Sequence, residues 1–353
     1  APWSLWPSSA VSCSGSGTVK SMTRVLSGIQ PTGDIHLGNY LGALRQWAVD
    51  QHEHDSFYCA VDLHAVTVQQ DPEELRAKTL ETMATLVAVG LDPEVCTLFV
   101  QSHVPYHTEL SWLLECTVSF GELRRMTQFK DKSTKQGDGG QEHVSAGLFT
   151  YPALMAADIL IYDADRVPVG DDQRQHLELT RDIAERFNSR YGDTFVLPSA
   201  AIPKIAARVM DLQEPTNKMS KSADSSLGTV GIFEDVSSIA KKFKRAVTDS
   251  SSEVRFDFET KPGVSNLLSI LGAATEKDPE ELAEEYTQYG PLKADAAEAV
   301  VDVLKPVQLR RSELLADPAE LDRIIARGAE KASEVAAVTV RRAKEAMGFL
   351  SPS

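Results

Sequence analysis

The sequence predicts an α/β protein, with a Rossmann-like parallel-sheet domain followed by a C-terminal all-helical domain. Three observations predict it. From Arg24 to about residue 210, short apolar runs alternate with helix-patterned segments, the pattern of a parallel sheet covered by helices on both faces. Beyond that point the strand signal fades and the apolar periodicity is helical. At 353 residues the chain is too long for one small core, so two domains are expected.

In the first domain, 23–210, Val25 and Leu26 begin a short strand, and 38–49 reads as a helix with Leu41, Leu44 and Ala48 on one face. Residues 57–61 form a buried strand. Pro72 opens a long helix that stops at Gly90, with proline in the first turn and glycine at the end. A strand at 96–100, helices at 107–118 and 148–162, a strand at 167–169 and a helix at 172–187 complete the alternation. Residues 131–142, rich in Gly, Lys and Asp, read as a mobile loop. In the second domain, 211–353, helices are expected at 232–246, 279–287, 293–315 and 319–347. The third is expected to kink or break at Pro306. In the last, Leu321, Ile325, Ala332, Val335, Ala343 and Ala346 form an apolar stripe interrupted by Thr339. Residues 1–22 are rich in Ser and Gly and lack a sustained apolar stretch or an arginine. They match neither a secretory signal nor a transit peptide, and read as a disordered extension or a cloning scar.

Composition excludes some classes of function. No apolar run approaches the roughly 20 residues that span a bilayer. The formal charge of −15 argues against a broadly basic nucleic-acid wrapper and leaves room for a local basic patch. Cys13, Cys59, Cys96 and Cys116 are scattered with no CxxC pair, which suits reduced thiols in the cytoplasm. His52-Glu53-His54-Asp55 has no further ligand at a useful spacing and reads as a solvated loop; no metal site is expected. Neither a dinucleotide fingerprint nor a Walker-type phosphate loop occurs.

Two constellations carry chemistry. Pro31-Thr32-Gly33-Asp34-Ile35-His36-Leu37-Gly38-Asn39 lies between the first strand and the first helix, where an open parallel sheet places its ligand. Helix-start N–H groups and the helix dipole favour a phosphate there. Gly38 permits close approach to the backbone, and His36 and Asn39 can hydrogen-bond phosphate oxygens. The plainer reading is an ordinary strand-to-helix turn with an incidental histidine. Lys218-Met219-Ser220-Lys221-Ser222 sets two lysines and two hydroxyls on a short loop. Such a loop can surround a triphosphate and follow the charge that develops on departing pyrophosphate. The plainer reading is a solvated basic loop, but this five-residue string would arise by chance about once in ten thousand chains of this length.

These two motifs, in this order, resemble the HIGH and KMSKS motifs of class I aminoacyl-tRNA synthetases, with Asn39 where the generic motif has a second histidine. Ser27-Gly28-Ile29-Gln30-Pro31, Met126-Thr127-Gln128-Phe129-Lys130, the 151–158 stretch from Tyr151 to Asp158 and Gly170-Asp171-Asp172-Gln173 resemble the bacterial tryptophanyl branch of that family. The likeness runs from about Arg24 to Met347. Leu26 stands where many relatives carry Phe against the substrate ring.

The resemblance implies an enzyme that joins tryptophan to its transfer RNA with ATP, in two steps through an adenylate. Gln30, Pro31, Thr32, Gly38 and Asn39 would contact ATP, with Gly170, Asp171 and Asp172 at the ribose and Val209 at the adenine. Lys218 and Lys221, helped by Lys132, would hold the phosphates, Met219, Ser220 and Ser222 would also contact ATP, Gln30 would reach tryptophan as well, and Mg2+ would arrive with ATP. Tyr151 and Gln173 would bind the amino group of tryptophan. Asp158 would accept from the indole N–H, and Leu26, His64 and Met155 would line the ring; for His64 a satisfied core histidine is the plainer reading. The helical domain would read the anticodon. Lys241, Lys242, Lys244 and Arg245, with Arg310-Arg311 and Arg341-Arg342, are the candidate RNA-facing patches. The resemblance also implies a cytoplasmic homodimer with each tRNA bridging its subunits. Two rivals stay open: a tyrosyl-tRNA synthetase, and a non-catalytic paralogue that binds tryptophan as a sensor.

Overall fold

The computed structural model describes residues 22–127, 145–168, 170, 173–201, 209–220 and 226–350. Among the candidates above, Lys132, Asp171, Asp172, Lys221 and Ser222 lie outside the described residues, as do most of the N-terminal extension and the 131–142 loop.

Five strands form one parallel sheet: β1 (Arg24–Ile29), β2 (Asp55–Ala60), β3 (Thr97–Val100), β4 (Arg166–Pro168) and β5 (Ser199–Ala201), in the order β3-β2-β1-β4-β5. β1 and β2 pair along their full length, from Arg24 opposite Asp55 to Ile29 opposite Ala60. β1 also pairs with β4 on its other side, so the strand order reverses at β1. An open sheet presents its binding crevice at such a switch point, beyond the carboxyl ends of the strands.

The elements between strands mostly follow the sequence pattern. The first helical stretch comprises α1 (Leu37–Asn39), a π-helical turn at Tyr40–Leu44 and α2 (Arg45–Asp50). After β2 come the short α3 (Asp62–Ala65) and the long α4 (Pro72–Ala88). Asp71 caps α4 through the Glu73 and Glu74 N–H groups, and Gly90, at φ 107°, turns the chain away after it. Between β3 and β4 lie α5 (Tyr106–Glu115), α6 (Phe120–Arg125) and α7 (Ala146–Leu160). α8 (Arg174–Tyr191) links β4 to β5.

The C-terminal part is helical among its described residues: α9 (Val236–Lys244), α10 (Pro262–Thr275), α11 (Pro279–Glu284), α12 (Tyr289–Ala316) and α13 (Pro318–Met347). The break expected at Pro306 is absent, and one helix is added to those expected. α12 runs unbroken through Pro306, which forfeits one helical hydrogen bond while Leu304 and Val307 stay anchored in the core. α10, which the sequence pattern did not reveal, is buried on nearly every side and therefore shows no amphipathic stripe.

Two apolar cores flank the sheet. One gathers Leu37, Tyr58 and Leu98 with Leu267, Leu292 and Val300 of the C-terminal helices. The other gathers Leu26, Phe57 and Phe99 with Leu160 and Tyr162, and with Ala332, Ala336 and Val340 of α13. The last helix thus returns to cover the sheet. Gly328 makes this approach possible, since a methyl at that position would fall on the Leu98 carbonyl of β3.

Candidate active site

Several candidate residues lie at the carboxyl edge of the sheet because they follow its strands. Gln30, Pro31 and Thr32 follow β1, His64 lies in α3 after β2, and Gly170 follows β4. Gln173 precedes α8, and its N–H donates to the Gly170 carbonyl at 3.0 Å. Leu26 is buried in β1, in the same cluster that Met155 packs against.

Asp158 is the electrostatic centre. α7 carries Tyr151, Met155 and Asp158 at i, i+4 and i+7, one face of the helix. Three donors converge on the Asp158 carboxylate, each at 2.7 Å. His64 Nε2 donates to Oδ2, while Gln101 Nε2 and His107 Nδ1 donate to Oδ1. With Nδ1 donating, Nε2 of a neutral His107 ring accepts from the Tyr162 hydroxyl at 2.7 Å. Burial by itself would raise the Asp158 pKa. The hydrogen bonds from His107 and His64 outweigh it and hold the group at about 2. The carboxylate is therefore a buried, charged acceptor. Tyr151 stands beside it, its hydroxyl 2.8 Å from His176 Nε2 and its ring edge-on to His64. Burial pushes the Tyr151 phenol pKa up, so it stays protonated.

Sequence reasoning missed Gln101, His107, Tyr162 and His176. Gln101 could have been found from its position directly after β3, where the sheet faces its ligand. The others come from α5, the end of α7 and α8, and no local spacing links them.

The second part of the site joins the two motifs. His36 caps α1, with its Nδ1 accepting from the Asn39 N–H at 3.3 Å while Asn39 Oδ1 accepts from the His36 N–H at 3.2 Å. These two side chains thus first fix the turn itself. The Gly38 backbone packs under the His36 ring and beside Met219: a Cβ there would lie 3.0 Å from the ring and 3.6 Å from Met219 Cβ. Met219 is buried, its N–H donates to the Val209 carbonyl at 3.1 Å, and Met210 bridges Lys218. Asn266 of α10 clamps both backbone groups of Met210, at 2.8 and 2.9 Å. Val209 itself is buried in the core. Lys218 is exposed and Ser220 half-buried at the described end of this loop.

The basic patches divide. Arg310 pairs with Glu313 and Glu320, Arg311 with Glu81 and the Phe233 ring, and Arg342 with Asp163. Lys242 turns inward onto Glu234. Lys241, Lys244, Arg245 and Arg341 are exposed. His52 and His54 lie at the opposite, amino-terminal edge of the sheet, beside a cavity of about 440 Å³ that they line with Met22, Arg24, Gln51, Asp55 and Val95. Asp55 there is paired with Arg24 at 2.8 Å.

Comparison with known proteins gives the family. Residues 19–305 match the family described as tRNA synthetases class I (W and Y). The chain is 56% identical to tryptophan–tRNA ligase 2 of Streptomyces avermitilis, over 93% of this chain and 97% of that one. The crystal structure of tryptophanyl-tRNA synthetase from Mycoplasma pneumoniae superposes with a TM-score of 0.86 at 37% identity, over 94% of this chain and 99% of that one. The Campylobacter jejuni enzyme, complexed with ADP and tryptophan, superposes with a TM-score of 0.79 at 36% identity, over 93% of this chain and 100% of that one. The chain belongs to the class I tRNA synthetases of the tryptophan and tyrosine family, and within it to the tryptophan–tRNA ligases.

Proposed function

We propose that the chain converts tryptophan and ATP to tryptophanyl-adenylate and pyrophosphate, and then loads tryptophan onto tRNA(Trp). The observation that carries this reading is Asp158, a buried charged acceptor on the same helix face as Tyr151 and Met155. Indole offers a large apolar surface and one N–H donor, with no acceptor. Met155 and Leu26 supply apolar surface for the ring, and Asp158 supplies the single acceptor. Tyr151 and Gln173 take the amino group, and His64 shares the Asp158 carboxylate with the substrate.

The substrate carboxylate is the nucleophile, and it attacks the α-phosphorus of ATP in line. The chain's own work is positioning and charge stabilisation. Gln30, Pro31 and Thr32, with Gly38 and Asn39, line the nucleotide. When neutral, a His36 ring that accepts at Nδ1 carries its proton on Nε2, which can donate to a phosphate oxygen. Gly170, Asp171 and Asp172 meet the ribose and Val209 the adenine, while Lys218 and Lys221, with Lys132, follow the charge on the leaving pyrophosphate. The flanking Met219, Ser220 and Ser222 shape that loop. Mg2+ would arrive with ATP and would offset the negative charge of its phosphates. Among the described residues no three His, Cys, Asp or Glu side chains gather to cage a cation, and none is assigned that role.

The functional molecule is a homodimer in this reading. Trp112 is 64% exposed and Phe120 67%, and the Phe120 ring packs tilted against Phe149 with centroids 4.9 Å apart, which gives α5, α6 and α7 an apolar surface suited to a second copy. Trp112→Glu should convert the dimer to monomer in sedimentation.

ATP–pyrophosphate exchange run with each of the twenty amino acids tests the assignment. Exchange with tryptophan far above the rest is expected. Faster exchange with tyrosine would overturn the substrate, and exchange with none would leave a tryptophan-binding protein without the reaction.

A further inference from the structure

Of the four basic residues at the end of α9, Lys242 turns inward, its side chain only 11% exposed. Its ammonium donates to the Thr229 carbonyl and to Glu234 Oε1, both at 2.6 Å. The same Glu234 oxygen accepts from the Gly231 N–H at 2.8 Å. Thr229 in turn donates its hydroxyl to the Ser220 carbonyl at 2.7 Å. Ser220 is the residue that precedes Lys221 in the chain.

Residues 229–232 therefore form a rib with a motif on each side. On one side they pair with the turn after β1: the Leu37 N–H donates to the Val230 carbonyl at 2.8 Å, the Ile232 N–H to the Ile35 carbonyl at 3.1 Å, and His36 faces Gly231 in an antiparallel bridge. On the other side the Thr229 hydroxyl holds the lysine loop. Lys242 and Glu234 brace the rib from behind, and Gln308 of α12 donates to the carbonyls of Ile232 and Glu234 at 2.8 and 3.0 Å.

We propose that Thr229 and Lys242 are positioning residues for adenylate formation, which set Ser220, the described end of the lysine loop, in register against the His36 turn. The proposal rests on the reading of that loop as the holder of the ATP phosphates. A lysine that stabilises developing charge is effective only when its backbone is held close to the productive geometry before the reaction. A hydroxyl bound to the Ser220 carbonyl supplies that restraint one residue from Lys221. It also gives Lys242 a role distinct from that of its exposed neighbours Lys241, Lys244 and Arg245.

The test is pyrophosphate-exchange kinetics with separate saturation of ATP and tryptophan, on full-length protein. Thr229→Val removes the donor at constant shape. It is expected to lower kcat/KM for ATP about fivefold, the scale of one hydrogen bond, with KM for tryptophan and the melting temperature unchanged. Thr229→Ser is expected to restore the parent value. Lys242→Met is expected to lose more, about thirtyfold, since charged donors make the stronger bonds, and Lys242→Arg to recover part of it. Parent-like ATP kinetics in Thr229→Val, beside a Lys221→Ala control that is slow, would overturn the positioning role and leave the loop reading intact. Parent-like kinetics in both would overturn the loop reading and the positioning role with it. A Thr229→Val enzyme that loses ATP and tryptophan kinetics equally and melts early would also overturn it, because that is the signature of a merely structural residue.

Discussion

His64 Nε2 lies 2.7 Å from Asp158 Oδ2, the carboxylate oxygen with the fewer protein donors, while Gln101 and His107 both hold Oδ1. Oδ2 therefore keeps the lone pair that can meet a ligand N–H beside His64. This orientation follows from the sheet, because α3 and Gln101 emerge from neighbouring strands at one edge.

The lysine loop provides the first prediction. Lys221→Ala should slow adenylate formation about a hundredfold, the scale of losing a charge that acts in the transition state. Tryptophan affinity should be unchanged, because the lysine is assigned only to phosphates. Single-turnover adenylate formation and equilibrium tryptophan binding measure the two quantities, and an equally fast variant would remove Lys221 from the mechanism.

The second prediction concerns pH. Arg186 grips Glu122 through Nη1 at 2.9 Å and Nη2 at 2.5 Å, joining α8 to α6. The Arg186 bond is the chief reason that the Glu122 pKa falls to about 2, with Ser119 contributing. A carboxyl lowered on folding stabilises the protein above its unfolded pKa, and that contribution is lost as pH falls toward the folded value. Glu122→Gln should thus lower the melting temperature at pH 7, by about 1–2 kcal/mol of stability after allowance for solvent screening. The gap between variant and parent should close between pH 5 and pH 2. A gap independent of pH over that window would contradict the ion pair's role.

Gly328 gives the third. In a helix interior, alanine is intrinsically favoured over glycine by about 1 kcal/mol. Here the added methyl would overlap the Leu98 carbonyl, and forced overpacking costs about 1–3 kcal/mol or more. Gly328→Ala should therefore lower the melting temperature by roughly 5 °C. A rise would show that α13 does not press on β3.

What the sequence made legible follows from where the physical signal is local. The long strands and amphipathic helices show their period, and Pro72, Asp71 and Gly90 mark the ends of α4. β5, three residues long and paired only to β4, carries too short a pattern to read. α10 is hidden for the opposite reason. Gly263, Ser265, Asn266 and Gly272 interrupt its apolar pattern, and they are small or polar where other backbone packs on them, as the paired bonds between Asn266 and Met210 show. In the site, Asp158 was visible as a carboxylate placed one turn after Met155 and two turns after Tyr151. Gln101 and His107 were not, and His64 was visible as a site residue but not as a partner of Asp158, since the three are 57, 51 and 94 residues away and meet it only through the sheet. Lys242 read as one more basic residue, and only its contact with Glu234 separates it from Lys241 and Lys244.

The most direct measurement is the selectivity for tryptophan over tyrosine in amino-acid activation, for the parent and for Asp158→Ala. The parent should prefer tryptophan. The variant should lose about 2 to 4 kcal/mol in kcat/KM for tryptophan, typical of a charge-assisted bond removed from a closed site, and lose little for tyrosine. An Asp158→Ala enzyme whose preference for tryptophan over tyrosine equals the parent's would contradict the account of how this pocket recognises its substrate.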